Sequence, residues 1–246
     1  MLLTARHLEL DERGGRPMLE TLFDELCITT DAQEKERLIR ELAQHPQETL
    51  DEAMKALKGP PKSRWEVAAQ VIRAIGYPHN APAISLLIGH IGDPNSPAWV
   101  EAVKTLEEMG PQVVIPYLLA DFWQRDRVQY WDQHIEGICF MLCQVERIFA
   151  LQCGPALAHL LGRNDLPPDR DLDRGFLLDV LEKIGPDCAE YALPVLIDFI
   201  SKEGNTTNGM QALRLVQSFD QEILERYQYV LAPLLKRMES QGETLK

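Results

Sequence analysis

The sequence lacks the long apolar runs and the excess of basic residues that membrane-spanning and nucleic-acid-binding proteins need. None of its apolar stretches reaches the length of about 18 residues that crosses a bilayer as a helix, so we expect no membrane span. Its 246 residues carry 38 acidic and 25 basic side chains, for a net charge of −13. Because nucleic-acid binders displace counterions from phosphates with cationic surface, this charge argues against a nucleic-acid partner. The first residues combine no basic head with an apolar core, so we expect no secretory signal and a cytoplasmic protein.

The local motifs of nucleotide binding and of hydrolase catalysis are also absent. The sequence contains neither GxxxxGK[ST] nor GxGxxG for phosphate groups, and it has no GxSxG nucleophile elbow. Cys139 and Cys143 lie four residues apart on one predicted helix, but no further His or Cys pair completes a tetrahedral metal site. We therefore expect no catalytic residue, no metal and no cofactor. The cysteines are expected to be reduced, buried helical residues.

What the sequence does contain is a regular series of prolines, each at the head of an apolar stretch. Four of them are spaced by 39 residues, and a fifth precedes the first of these by 34 residues. Since proline is favoured at the first position of a helix, each is predicted to begin one helix. The apolar residue two positions after each proline is predicted to be core. These repeat prolines are Pro82, Pro116, Pro155, Pro194 and Pro233, and the core row is Ile84, Leu118, Leu157, Leu196 and Leu235.

A second helix precedes the proline in each period. Apolar residues recur at helical spacing in VAAQVIRAIG, VEAVKTLEEMG and FLLDVLEKIG, which end at Gly76, Gly110 and Gly185. Two helices per period of about 39 residues predict an all-α protein, a right-handed α-solenoid of about six helical hairpins. The predicted repeats span residues 31–60, 61–94, 95–130, 131–168, 169–206 and 207–240, after an N-terminal segment with a capping helix (1–30) and before a tail (241–246).

The segment IGDPNSPAWVEAVKTLEEMGPQVVIPYLL resembles a HEAT repeat. That family has an Asp in the loop between repeats, a Val-Arg pair and a packed Ala on helix A, and Gly-Pro before helix B. The matching residues are Asp93, Val100, Ala102, Gly110 and Pro111. Glu101 stands where the family has Arg, which puts the family's usual Asp–Arg ladder in question. The resemblance covers about residues 31–240.

HEAT-type proteins include binding scaffolds and some enzymes, so the resemblance leaves two functions open. We favour a non-catalytic protein-binding or scaffold module that uses the concave surface of its B helices. The alternative is an accessory enzyme, such as a lyase-like subunit that acts on a protein substrate.

The B helices supply the first candidate site. Residues four and eight positions after each repeat proline share one helix face, and this face becomes polar and partly basic toward the C-terminus. We predict a groove for an acidic or extended segment of another protein, with an ordinary solvated helix face as the alternative. The predicted groove residues are His90, Gln124, His159, Arg163, Asp198, Lys202 and Arg237.

The segment WQRDRVQYW supplies the second candidate site. Its aromatic and arginine residues are the types that dominate binding hot spots. The alternative is that the tryptophans pack under a long connection and that the arginines pair with acidic neighbours. The residues of this aromatic loop are Trp123, Arg125, Arg127, Tyr130 and Trp131. Trp65 and Trp99, at matching repeat positions, are predicted to be packing residues.

Overall fold

A computed structural model describes residues 18–93, 95–124, 131–163, 171–204 and 206–240. Within these ranges every regular element is a helix, so the fold class is all-α as predicted. The chain divides into two compact units, an N-terminal unit of Met1–Gly110 and a C-terminal unit of Pro111–Lys246. The boundaries of the six repeats and the handedness of the solenoid stay predictions. In the described part of the chain, no helix has both the length and the apolar character needed to cross a membrane.

The helices of the N-terminal unit stack in two layers. In the first layer α2 packs on α4 and α4 packs on α6, while α3 and α5 form the second layer. Contacts of α3 with α4 and of α5 with α6 join the layers, and α1 packs on α2 and α3. The bounds are α1 Met18–Ile28, α2 Ala32–Ala43, α3 Pro46–Lys58, α4 Trp65–Ile75, α5 Ile84–Ile91 and α6 Trp99–Met109.

The C-terminal unit repeats this two-layer arrangement. Its first layer is the series α8, α10 and α12, and its second layer is the series α7, α9, α11 and α14. Stacked helices in two such layers are the architecture of an α-solenoid. The bounds are α7 Pro111–Gln124, α8 Trp131–Gln144, α9 Arg147–Leu161, α10 Asp171–Ile184, α11 Ala189–Glu203, α12 Thr207–Gln217, α13 Gln221–Arg226 and α14 Gln228–Ser240.

Glycines with positive φ end three of the first-layer helices. Gly76, Gly110 and Gly185 have φ values of 72°, 84° and 66° and directly follow α4, α6 and α10. Side chains strain this left-handed conformation, which glycine adopts freely. The predicted helix ends are confirmed at all three positions.

The repeat prolines do not begin their helices, so this part of the sequence prediction was wrong. Pro82 lies in a 3-10 turn directly before α5, and the other four lie inside helices. The helices begin earlier because the turn before the proline is already buried: Val114 and Ile115, which precede Pro116, are 0% and 4% exposed. The interior prolines are Pro116, Pro155, Pro194 and Pro233.

All four interior prolines are exposed, which explains how the helices tolerate them. A proline cannot donate a hydrogen bond to the carbonyl four residues earlier. Each of those carbonyls belongs to an exposed or half-buried residue, so water can reach the exposed side of the helix and satisfy it. The residues that carry them are Gln112, Leu151, Glu190 and Tyr229.

The predicted core row is confirmed at four of its five positions. Ile84, Leu118, Leu157 and Leu196 are completely buried. Leu235 is only half-buried, because α14 is the last helix of its layer in the described chain and packs on α11 and α13.

Side-chain contacts tie neighbouring first-layer helices together. Arg73 of α4 donates to the carboxylates of Glu101, at 3.2 Å, and Glu108 of α6. Glu101 thus contributes an ion pair between neighbouring first-layer helices. In the C-terminal unit, Gln211 of α12 donates to Asp179 of α10 at 2.7 Å.

Two tryptophans join successive hairpins of the N-terminal unit. The indole of Trp65 donates to the carbonyl of Gly59 at 2.9 Å, and the indole of Trp99 donates to the carbonyl of Ile91 at 3.0 Å. Each indole thus binds the end of a second-layer helix from the first position of the next first-layer helix. Both tryptophans are packing residues, as predicted.

Candidate binding site

A small depression lies in the C-terminal unit where the ends of two second-layer helices approach a first-layer helix. It borders the last turns of α9 and α11 and the first turn of α10, opens to solvent, and has a cavity volume of only about 20 Å³. We call it the cationic depression. Its lining residues are Leu161, Gly162, Arg163, Arg174, Asp198, Phe199, Lys202 and Glu203.

The charged residues of the cationic depression carry a net positive charge. Three are cationic, namely Arg163, Arg174 and Lys202, and two are anionic, namely Asp198 and Glu203, which gives a net charge of +1. The chain as a whole carries −13. Among the described residues that line the depression, cations therefore outnumber anions by one.

The helix α11 brings two of these charges together. Asp198 and Lys202 lie four residues apart and therefore on the same helix face. The Lys202 Nζ lies 2.6 Å from the Asp198 Oδ2, and about half of each side chain is exposed. This exposed ion pair contributes little to stability, since such pairs are worth about 0–1 kcal/mol.

Arg174 reaches the depression from the first turn of α10. Its Nη1 donates to the Glu203 Oε1 at 2.9 Å, and its guanidinium lies 5.6 Å from the ring centroid of Phe199. The side chain is only 13% exposed. Its Nε is buried and has no hydrogen-bond partner. The guanidinium is therefore held by Glu203 and Phe199 and is largely shielded from solvent.

Three of the predicted groove residues meet at this depression: Arg163, Asp198 and Lys202. His159 is exposed on α9, one turn before Arg163, and Arg237 is exposed on α14. Whether these five residues form one binding groove stays a prediction.

His90 does not lie on an exposed groove, so its predicted placement was wrong. It is 8% exposed, and its two ring nitrogens lie 3.0 Å from the Ser96 hydroxyl and 3.1 Å from the Leu57 carbonyl. The ring of Trp65 packs against it edge-on with centroids 4.8 Å apart. The helix α5 ends one residue later, at Ile91, and the ring is held under the connection that follows. Burial lowers the pKa of His90.

The other predicted site residues cannot be placed. Arg125, Arg127 and Tyr130 lie outside the described residues. Trp123 and Gln124 belong to the end of α7, and Trp131 begins α8, but their side chains lie outside the described part of the structure. The aromatic loop as a binding site stays a prediction.

Sequence reasoning missed Arg174 and Glu203. The alignment from the repeat prolines followed only the second-layer helices, whereas Arg174 enters from a first-layer helix. Glu203 is nine residues after Pro194 and so falls outside both aligned rows. Aligning the first turns of the first-layer helices would have brought Arg174 into consideration.

A histidine–carboxylate pair joins α7 and α8 elsewhere in the C-terminal unit. The His134 Nε2 lies 2.5 Å from the Asp121 Oδ2, with 7% and 19% of the side chains exposed. Little of this pair is accessible to a substrate, and its position between two helices indicates a structural contact.

The five cysteines are free thiols that are buried or half-buried. Cys139, Cys153 and Cys188 are buried, and Cys27 and Cys143 are half-buried. Burial raises the pKa of Cys27 and of Cys143, and it raises the pKa of Cys153 and of Cys188 to about 12. Among the described residues, no group of three or more His, Cys, Asp or Glu side chains is placed to hold a metal ion.

Comparison with known proteins gives similarities only among solved structures. No family model matches the sequence, and no curated protein matches it. An engineered protein solved by the Northeast Structural Genomics Consortium is 14% identical with a TM-score of 0.39, over 82% of this chain and all of that chain. A designed armadillo repeat protein is 14% identical with a TM-score of 0.37, over 80% of this chain and 99% of that chain.

At scores this low, neither similarity carries an argument. The assignment of a helical-repeat fold rests on the two-layer stacking described above, and membership of the HEAT family stays a prediction.

Proposed function

We propose that this chain is a non-catalytic protein-binding or scaffold module whose second-layer helices bind an acidic or extended segment of another protein. The observation that supports this proposal is that Arg163, which directly follows α9, lines one depression together with Asp198 and Lys202 of α11. These three residues were selected from sequence spacing alone.

The charges of the cationic depression suit an acidic partner. Long cationic side chains at an accessible rim attract an acidic segment during encounter, and they act mainly on the association rate and its salt dependence. Lys202 keeps about half of its side chain exposed while it pairs with Asp198. An incoming carboxylate can therefore compete for the ammonium group without unfolding any element.

The thiol chemistry favours binding over a cysteine-dependent accessory lyase. A nucleophilic cysteine needs a depressed pKa, since the thiolate is the reactive form. Here the pKa is raised at Cys27, Cys143, Cys153 and Cys188 by burial. At neutral pH these thiols are protonated, so they are poor acceptors for a transferred group.

The test begins with the partner that the full chain captures from native extract and that mass spectrometry identifies. The affinity of the purified partner is then measured at about 50 mM salt, where charges are weakly screened, and at about 200 mM salt, where they are strongly screened. We expect the double variant Arg163→Glu and Lys202→Glu to bind at least about tenfold more weakly at low salt, with a smaller salt dependence.

The matched control is the double variant Arg40→Glu and Lys55→Glu in the N-terminal unit. It makes the same change in net charge at exposed helical cations, each of which pairs within its own helix as Lys202 does. Its affinity for the partner is expected to fall much less. Equal losses in the two double variants, or no loss in either, would show that the second-layer surface of the C-terminal unit does not bind the partner.

A further inference from the structure

We propose that Lys183 is a latch that holds the turn between α8 and α9 on the end of α10, and that this turn opens locally while the rest of the C-terminal unit stays folded. Both helices that the turn connects pack on α10. The latch is a conformational device of the fold, independent of the proposed function, and it needs no partner.

The end of α8 lacks the glycine that closes α4, α6 and α10. Each of those helices is followed by a glycine with positive φ, whereas α8 is followed by Val145, which is 3% exposed. The Val145 N–H donates to the Met141 carbonyl at 3.0 Å and so completes the last turn of α8. A helix leaves its final carbonyls without donors of its own, so the carbonyls that follow Met141 need donors from outside α8.

Lys183, in the last turn of α10, supplies these donors. Its Nζ lies 2.8 Å from the Leu142 carbonyl oxygen and 3.0 Å from the Cys143 carbonyl oxygen, and it also donates to the Val145 carbonyl. An ammonium group has three N–H donors, so this arrangement uses all of them. A positive charge is also favourable at the C-terminal end of α8, where the helix carries a partial negative charge. A residue of α10 therefore caps a different helix.

Arg147, the first residue of α9, binds the end of α10 in return. Its Nε donates to the Ile184 carbonyl at 3.2 Å, and its Nη2 donates to the same carbonyl and to the Asp187 carboxylate. The Arg147 and Asp187 side chains are each about half exposed, and exposed ion pairs contribute little to stability. Lys183 is less exposed, and loss of its ammonium would leave three carbonyls without their charged donor. We therefore assign the latch to Lys183 rather than to Arg147.

The turn itself has few packing contacts that would hold it without Lys183. Gln144, Glu146, Arg147 and Ile148 are exposed, and only Val145 among the turn residues is buried. Segments with few buried contacts open at a lower free energy than the core of the same protein. In stacked helices each element is stabilised mainly by its neighbours, so such an opening need not spread to α11.

The test is amide hydrogen exchange of the full-length protein, followed by NMR at low concentrations of urea. The reporters are the N–H groups of Val145 and Phe149, which donate to the Met141 and Glu146 carbonyls, each at 3.0 Å. The reference is the N–H group of Ile200, which is 1% exposed inside α11. Local opening exposes little surface and responds weakly to urea, whereas global unfolding responds strongly.

Three variants separate the latch from a general loss of stability. Lys183→Met keeps a similar aliphatic stem and removes the charge and the three donors. Lys183→Arg keeps a charge and N–H donors, but its planar fork suits three converging carbonyls less well. The matched control is Lys104→Met in the N-terminal unit, because Lys104 is about half exposed and pairs at 2.8 Å with Glu101 of its own helix.

In the wild type, we expect lower protection factors at Val145 and Phe149 than at Ile200, with little dependence on urea. Lys183→Met is expected to lower the two reporter protection factors at least about tenfold. Lys183→Arg should give intermediate values, and Lys104→Met should leave them unchanged.

Three results would each overturn the latch. The first is reporters that exchange like Ile200 in the wild type, with the same urea dependence, because the turn would then open only on global unfolding. The second is unchanged reporter protection in Lys183→Met. The third is equal protection in Lys183→Arg and Lys183→Met, because neither the charge nor the donors would then hold the turn.

Discussion

Replacement of Gly209 by alanine is expected to destabilise the C-terminal unit strongly, although alanine is the better helix former. Gly209 is buried in the first turn of α12. A Cβ at this position would lie 1.9 Å from the Glu203 carbonyl oxygen, 2.5 Å from its carbon and 2.9 Å from the Gly204 Cα. All three are backbone atoms of the connection from α11, so no side-chain rotation can relieve the overlap.

The expected loss of stability follows from the backbone shift that the added methyl group requires. Separating the two segments disturbs Thr206, whose hydroxyl donates to the Glu203 carbonyl at 2.8 Å and accepts from the Gly209 N–H at 3.0 Å. Overpacking of this kind costs about 1–3 kcal/mol, loss of an N-cap costs about 1 kcal/mol, and the gain in helix propensity returns about 0.5–1 kcal/mol. We expect a net loss of about 1–3.5 kcal/mol in the free energy of unfolding.

The assay is urea denaturation of the full chain followed by far-ultraviolet circular dichroism, with Gly89→Ala as the matched control. Gly89 is exposed inside α5, and a Cβ there would meet no atom within 4 Å. The control should gain about 0.4–1 kcal/mol from reduced freedom of the unfolded chain. If Gly209→Ala unfolds at the same urea concentration as the wild type, the end of α11 and the start of α12 do not lie close enough to exclude a Cβ at position 209.

Two further predictions concern the burial of Leu196 and the protonation of His90. Leu196→Ala is expected to lower the free energy of unfolding by about 2–5 kcal/mol, because Leu196 is fully buried. Leu235 is half-buried, so Leu235→Ala is expected to cost clearly less in the same urea assay. Equal losses would contradict the burial of Leu196. Burial lowers the pKa of His90, so the unfolded chain takes up a proton first as the pH falls below about 6.5 and the native state loses stability there. The wild type should therefore lose more stability than His90→Gln between about pH 7 and pH 5, and parallel curves would refute this.

The fold could be predicted because the signals that determine it are local. The glycines that end α4, α6 and α10 need a left-handed conformation, and the apolar spacing of VAAQVIRAIG identifies a helix from a few neighbours. The prediction failed at the repeat prolines because a proline at a helix start is a local preference. Burial of the preceding turn, as at Val114 and Ile115, extends the helix backward, and that burial comes from packing between helices.

The candidate site was predictable only within single helices. Asp198 and Lys202 share a face of α11 because of helical geometry alone, and they form an ion pair. The same rule misplaced His90, because α5 has only 8 residues and its last turn is packed under Trp65. Arg174 could not be found in this way, since its position beside Phe199 and Glu203 depends on how α10 packs against α11 and α9.

Helix electrostatics favours two of the three cations of the depression, and side-chain contacts account for the third. The C-terminal end of a helix carries a partial negative charge, so Lys202 in the last turn of α11 and Arg163 just after α9 are favourable where they are. Arg174 lies in the first turn of α10, where the partial charge is positive and a cation is disfavoured. It is also mostly buried with an unpaired Nε, although Glu203 offsets part of this cost. The ion pair with Glu203 and the contact with the Phe199 ring therefore account for an arginine at this position, and both are contacts between α10 and α11 rather than properties of α10 alone.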